Sequence, residues 1–90
     1  MLADELHEFA AVVRCGGVSA AAGELGLSQS SVSRHLARLE RELGVTLLAR
    51  GAEGMRLTDA GRHVFLCALE ADEAVDDLIA ELGGDARGLR

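Results

Sequence analysis

Several residue types are missing from this chain. Its 90 residues include no Pro, Trp or Tyr, and only two Phe. Lys is also absent, so Arg supplies all nine basic residues against fifteen Asp and Glu. No apolar run approaches the roughly 20 residues that a bilayer requires, which argues against a membrane-spanning helix. The formal net charge of −6 argues, at first sight, against a protein that binds nucleic acid.

The N-terminal segment also lacks the positive charge of a secretory signal peptide, because acidic residues stand there instead. Cys15 and Cys67 are far apart, and neither has a second Cys or a His at metal-ligand spacing. We therefore expect two packed thiols in a reducing cytosol, with a disulfide or a metal site as the alternatives.

Groups that perform chemistry are scarce as well. We find no nucleophile and base at a useful spacing, no metal cluster and no phosphate-binding loop, so we expect neither enzymatic activity nor a cofactor. His35 follows a serine cluster, and we expect it to be solvated or to contact the backbone. A chain this short is not expected to hold a pocket that senses a small molecule.

Three helices are predicted in the first half of the chain. Apolar residues recur at helical spacing over residues 2–15. Ser19 is a good N-cap for a short helix over 20–25, which Gly26 ends after barely two turns. A third helix is predicted over 28–43, with Ser28 as its N-cap.

The second half is predicted to form a two-stranded ribbon followed by one long helix. The ribbon strands are expected at 45–48 and 55–58, with turn glycines between them. Thr58 is expected to cap a helix of about 24 residues, or roughly 36 Å, that ends at Leu82.

The long helix carries an apolar seam whose residues recur at alternating steps of four and three, a spacing typical of paired helices. A helix of this length extends beyond what the preceding residues can cover, so we expect the seam to pair with another helix. The expected interface residues are Val64, Ala68, Ala71, Val75, Leu78 and Leu82.

This order of elements predicts a mainly α fold, a winged helix-turn-helix. It would have a three-helix head, a two-stranded β wing and a long C-terminal linker and dimerisation helix. At the turn, the small side chain of Ala22 would let two helices cross closely, and Leu25 and Leu27 are expected to be buried beneath the corner. The expected divisions are a DNA-binding head over 1–58, a linker and dimerisation helix over 59–82 and a flexible tail over 83–90.

The helix after the turn has a polar opening that suits DNA. In a helix-turn-helix, this second helix enters the major groove with its N-terminus first. Arg suits guanine and Gln suits adenine, so Arg34 is the first candidate for reading a base and Gln29 the second. Arg38 and Arg41 are expected to contact phosphates. Short hydroxyl side chains that can approach bases or phosphates are those of Ser28, Ser30, Ser31 and Ser33.

The alternative interpretation is that the serines only cap and solvate the helix while the Arg residues pair with Glu40 and Glu42. The position of the serine cluster, opposite a complete apolar stripe, favours DNA binding. In the wing, Arg50 and Arg56 are expected to reach phosphates or a minor groove, with an ordinary solvated ribbon as the alternative. Glu53, near the wing tip, opposes a DNA contact there.

Taken together, these motifs resemble the N-terminal DNA-binding domain of LysR-type transcriptional regulators. The resemblance covers about residues 2–82 and implies a winged helix-turn-helix that dimerises through its linker helix. It also implies that Gln29, Ser30, Ser33 and Arg34 face bases and that Arg50 lies at the wing. The stretches that carry it are Gly16-Gly17-Val18-Ser19-Ala20-Ala21-Ala22, Leu27-Ser28-Gln29-Ser30-Ser31-Val32-Ser33-Arg34, Leu39-Glu40-Arg41-Glu42-Leu43-Gly44, Leu47-Leu48-Ala49-Arg50 and Leu57-Thr58-Asp59-Ala60-Gly61.

The chain departs from this family in a few places. The family often has Ser-Phe in place of Gly17-Val18, Leu-Phe in place of Leu47-Leu48 and a basic residue in place of Glu53. Family members normally continue into an effector-binding domain of two α/β subdomains. The sequence here is accordingly either an excised domain or a naturally short protein.

The resulting hypothesis is a bacterial, cytoplasmic regulator, or a fragment of one, that binds double-stranded DNA as a homodimer. Its site would be partially palindromic, with half-sites in successive major grooves. The alternative is an interaction module that pairs through residues 64–82 with a full-length regulator and modulates its DNA binding. Residues 28–63 are the net-basic stretch, with six Arg against four acids, which predicts weak, salt-sensitive non-specific binding.

Overall fold

Four helices and a two-stranded antiparallel sheet make up the chain in a computed structural model that describes residues 2–51 and 54–83. The predicted fold class, a mainly helical winged helix-turn-helix with a long last helix, is confirmed. Glu53 and residues 84–90 of the predicted tail lie outside the described residues. The elements are α1 (Leu2–Cys15), α2 (Val18–Leu25), α3 (Gln29–Leu43), β1 (Leu48–Gly51), β2 (Gly54–Leu57) and α4 (Asp59–Gly83).

The core lies where α1, α2 and α3 pack together, closed by the segment that leads into β1. Phe9, Val32 and Leu39 are fully buried, and Leu47 joins them from beyond α3. Ala22 is buried on α2, as its small side chain at the helix crossing predicted.

The helix-turn-helix corner is built by backbone geometry that the sequence signals. Gly26 adopts a left-handed conformation with φ 71° and donates its N–H to the Ala22 carbonyl, which ends α2. Ser28 then caps α3 by accepting the Ser31 N–H at 3.1 Å. Leu27 is 39% exposed, however, so the prediction that it is buried beneath the corner is wrong.

Two predicted boundaries also require correction. Helix α2 begins at Val18, and its N-cap is Gly17, whose carbonyl accepts the Ala21 N–H, so Ser19 is not the cap. Strand β1 runs over 48–51, three residues later than the predicted 45–48. Strand β2 runs over 54–57, one residue earlier than the predicted 55–58. Strand β1 begins late because the Glu40 carboxylate takes the Leu47 and Leu48 N–H groups, at 2.7 and 3.2 Å.

Helix α4 begins where it was predicted and is fixed to the head at that end. Thr58 caps it by accepting the Gly61 N–H at 2.9 Å, and the Thr58 hydroxyl donates to the carbonyl of Leu47. Val64 packs against the core and Ala68 is only 4% exposed. The first turns of α4 therefore cover the head itself, and the assignment of these two residues to the dimer seam stays a prediction.

The two thiols differ in their surroundings. Cys15 is half-buried, whereas Cys67 is exposed, contrary to the prediction of a packed thiol, and both are free cysteines. Partial burial and the Glu24 carboxylate, whose Oε1 lies 3.6 Å from Sγ, raise the pKa of the Cys15 thiol. Among the described helices, none is long and apolar enough to cross a membrane.

Candidate nucleic-acid interface

Helix α3 presents its polar residues to solvent and its apolar stripe to the core. Val32, Leu36 and Leu39 are buried. Ser31 is half-buried, and the other side chains predicted to meet DNA on this helix are exposed: Ser28, Gln29, Ser30, Ser33, Arg34 and Arg38. The structure therefore leaves this whole predicted set accessible.

Hydrogen bonds organise the N-terminal end of α3. The Ser28 hydroxyl donates to the Ser31 hydroxyl at 2.9 Å, and Arg34 donates to the same Ser31 oxygen at 3.3 Å. The Arg34 side chain is thereby directed toward the start of the helix, the end that leads into a groove in this motif. A guanidinium carries five N–H donors, so the bond to Ser31 leaves others for a base edge.

Gln29 is held by the preceding helix. Its Nε2 donates to the Ser19 hydroxyl at 3.2 Å. Because an amide nitrogen carries two hydrogens, Gln29 can keep this bond and still offer a donor and an acceptor to adenine. No sequence pattern indicates this role of Ser19, since residues ten apart meet here only through the turn.

One flank of α3 is tied to α1 by two carboxylates. The Glu8 Oε1 lies 2.7 Å from the His35 Nδ1, and Arg38 donates to the Glu5 Oε2 at 3.4 Å. The prediction that His35 is solvated or meets backbone is therefore wrong. The suggested pairing of Arg38 with Glu40 or Glu42 is wrong as well. The spacing of three residues on each helix places each pair on one face, but it does not show that the two faces meet.

The wing places its two Arg residues on opposite faces. Arg50 pairs in register with Met55, and Arg56 pairs with Ala49. Successive strand residues point to opposite faces, so Arg50 lies on the same face of the ribbon as Met55 and Leu57. That face packs on the core. Arg56 lies on the other face of the ribbon. Both side chains are exposed. One flat surface applied to the wing would therefore meet only one of them.

Residues 3–62 match the model of the bacterial regulatory helix-turn-helix proteins of the lysR family. The chain belongs to the LysR family. Its relatives include the transcriptional activator BauR of Pseudomonas aeruginosa, which is 45% identical over 89% of this chain and 28% of BauR. The probable regulator LrrA of Synechococcus elongatus is 47% identical, over 87% of this chain and 26% of LrrA. The chain thus spans about a quarter of the length of these relatives.

Solved LysR structures share the fold. The DNA-binding domain of BenM, in complex with catB site 1 DNA, is 32% identical with a TM-score of 0.84 over 91% of this chain and 92% of that one. The LysR family regulator CbnR is 36% identical, with a TM-score of 0.75 over 89% of this chain and 29% of CbnR. The chain is therefore a LysR-type helix-turn-helix DNA-binding domain.

Charge is divided along this LysR-type domain. Residues 28–63, which include α3, the wing and the start of α4, are net basic. Residues 64–83 carry six acids and no basic residue. The net-basic stretch is the one that holds α3 and the wing, whereas residues 1–27 carry four acids against one Arg. The overall charge of −6 is therefore compatible with a duplex that contacts α3 and the wing.

Proposed function

We propose that this chain binds double-stranded DNA sequence-specifically as a homodimer, with α3 of each copy in a major groove of a partially palindromic site. The observation that carries the proposal is the accessible polar end of α3, residues 28–34, opposite a buried apolar stripe. The likeness to a BenM domain in complex with DNA supports it. We include in the proposal a role in transcription regulation in the bacterial cytoplasm, without enzymatic activity or a cofactor.

The proposed contacts divide into base readers and phosphate contacts. Arg34 would take guanine O6 and N7, and Gln29 would take adenine. Arg38 would meet a phosphate from the flank of α3, and Arg50 and Arg56 would meet the backbone or minor groove from the two wing faces. The remaining proposed contacts are the hydroxyls of Ser28, Ser30, Ser31 and Ser33.

The proposed dimer uses the far half of α4. From Glu70 to Leu82 every side chain is exposed, including Val75 at 55%, Leu78 at 52% and Leu82 at 66%. Together with Ala71 these residues form the seam that remains once Val64 and Ala68 are assigned to the head. Isolated exposed apolar residues are common, but a row along one helix face marks an interaction surface.

A mobility-shift assay with Arg34→Ala tests the base-reading role. The wild-type chain first selects its preferred duplex from a random pool. Loss of a bidentate base contact should cost about 1–3 kcal/mol of binding and relax the preference at one base pair per half-site. Arg14→Ala is the matched control, because Arg14 lies on α1 and pairs with Glu24 outside the proposed interface.

The assay is repeated over a salt series, because phosphate contacts release counterions and binding should weaken as salt rises. Unchanged affinity and base preference in Arg34→Ala would refute the assignment of Arg34. A wild-type chain with neither sequence preference nor salt dependence would refute the proposed function itself.

The exposed seam also favours a second function, pairing with a full-length regulator to modulate its DNA binding. Light scattering after size exclusion measures whether the chain pairs with itself. A homodimer that binds DNA without any partner would contradict this second function, because its seam would already be occupied.

A further inference from the structure

The flank of α3 that faces α1 carries two polar pairs arranged as a ladder. His35 and Arg38 are three residues apart on α3, and Glu8 and Glu5 are three residues apart on α1. The later residue on α3, Arg38, pairs with the earlier residue on α1, Glu5, so the two helices run antiparallel along this contact. Each of the two pairs is one rung of the ladder. We call these four residues the α1–α3 ladder.

The carboxylates of the ladder are buried although they lie in a small head. The side chains of Glu5 and Glu8 are 3% and 10% exposed, whereas those of Arg38 and His35 are 57% and 31% exposed. A buried carboxylate is costly unless it is paired. Glu5 Oε1 has no hydrogen-bond partner among the described residues. The hydrogen bond that Arg38 donates to Oε2 is therefore the contact that compensates the buried charge of Glu5.

The ladder also borders a pocket of about 350 Å³, whose wall includes Leu25 and Leu27 of the turn. On this flank the four ladder residues and these two Leu side chains line an open space beside the core. The core stripe of α3 lies next to the ladder on the helix surface, and its apolar burial is non-directional. Together with that buried stripe, the two polar pairs constrain the rotation of α3 about its own axis.

We infer that Glu5 and Glu8 are positioning residues for DNA recognition, acting through Arg38 and His35 to set the rotation of the recognition helix. A rotation of about 10° moves atoms on the surface of a helix by about 1 Å. Hydrogen bonds to base edges weaken within a few tenths of an ångström of their optimum. Rotation would therefore disturb base contacts strongly and flexible phosphate contacts weakly.

The second rung has a consequence for charge. Arg38 is more than half exposed on the flank of α3 that faces α1, and Glu5 neutralises part of its charge. Removing Glu5 releases the guanidinium for any phosphate. The expected result is weaker binding to the preferred duplex together with equal or stronger binding to other duplexes.

The inference rests on the proposed function and is tested by the specificity ratio. This ratio is the affinity for the duplex selected by the wild-type chain over that for a scrambled duplex of the same length and composition. Partial unfolding lowers both affinities by the same factor and leaves the ratio unchanged. A purely structural role of Glu5 or Glu8 therefore does not alter it.

Glu5→Ala and Glu8→Ala should each lower the ratio on the order of tenfold, the equivalent of one lost base contact. Asp4→Ala is the matched control, because it removes an exposed acid from the same turn of α1 and should leave the ratio unchanged. Glu5→Gln keeps an acceptor oxygen for Arg38 and should return the ratio toward the wild-type value.

Two outcomes would overturn the inference in distinguishable ways. A wild-type chain with a ratio near one would refute the proposed function and the inference with it. A wild-type chain with clear specificity, whose ratio stays within about twofold in both Glu5→Ala and Glu8→Ala, would refute the inference alone.

Discussion

Gly61 shows how a single residue fixes two elements against each other. A Cβ at this position would overlap the Leu47 carbonyl oxygen and lie 3.1 Å from the Leu57 side chain. The same carbonyl accepts the Thr58 N–H at 3.0 Å. The first turn of α4 can therefore approach the Leu47 backbone, just before β1, only because residue 61 has no side chain.

We expect Gly61→Ala to destabilise the chain by about 3 kcal/mol or more, because backbone on both sides must move to remove the clash. Gly23→Ala is the matched control, since Gly23 lies within α2 and a Cβ there would meet nothing within 4 Å. That change should stabilise by about 0.4–1 kcal/mol. Urea unfolding followed by circular dichroism measures both, and equal midpoints for the two variants would contradict the role assigned to Gly61.

At the scale of elements, Glu40 links the recognition helix to the wing. Its Oε2 accepts the N–H groups of Leu47 and Leu48, where the chain leaves α3 and enters β1. These two backbone donors precede the pairing of β1 with β2 or lie at its start. The Glu40 side chain therefore supplies the hydrogen-bond acceptor that the sheet does not. One carboxylate of α3 thus helps to hold the segment at which the wing leaves this helix.

Glu40→Ala should destabilise the head by about 1–3 kcal/mol, because two partly buried donors lose their acceptor. Amide hydrogen exchange gives the sharper measurement, since the Leu47 and Leu48 amides should exchange faster than in the wild type. Glu42→Ala, which removes an exposed acid from the same helix, is the control and should leave both amides protected. Unchanged exchange at both amides in Glu40→Ala would show that the carboxylate does not hold them.

Elements with local signals could be predicted from the sequence. Gly26 and Gly44 end helices, and Ser28 and Thr58 begin them, because each acts within four residues of its own position. Features made by distant residues were not predicted. The late start of β1 depends on Glu40, seven residues earlier, and the α1–α3 ladder joins residues 27 and 33 positions apart. No periodicity contains that information.

At the scale of the whole molecule, α4 makes the domain elongated and separates its charges. The described part of the chain extends 48 Å along its longest axis and 25 and 23 Å across. One end carries the net-basic recognition helix and wing, and the far half of α4 carries the acids together with the exposed seam. The two proposed activities, DNA binding and dimerisation, therefore occupy regions of opposite charge.

Salt should affect the two activities in opposite directions. DNA binding weakens with salt, because the release of counterions into a more concentrated solution is less favourable. Dimerisation should strengthen, because the acids beside the seam repel each other across the interface and salt screens this repulsion.

Leu78→Glu should weaken the dimer by about 3 kcal/mol or more, roughly a hundredfold, since each copy loses one buried Leu worth at least about 1.5 kcal/mol.

Ala80→Glu is the matched control for Leu78→Glu. It adds the same charge two residues away on the opposite side of α4, where the side chain is also exposed. Sedimentation equilibrium of both variants over a salt series measures the dimer affinity of each. The comparison separates the loss of apolar contacts in the seam from the repulsion that the added charge causes. Equal dimer affinity in the two variants would place the interface elsewhere, whereas a dimer that weakens with salt would show that ion pairs, and not the apolar seam, hold it together.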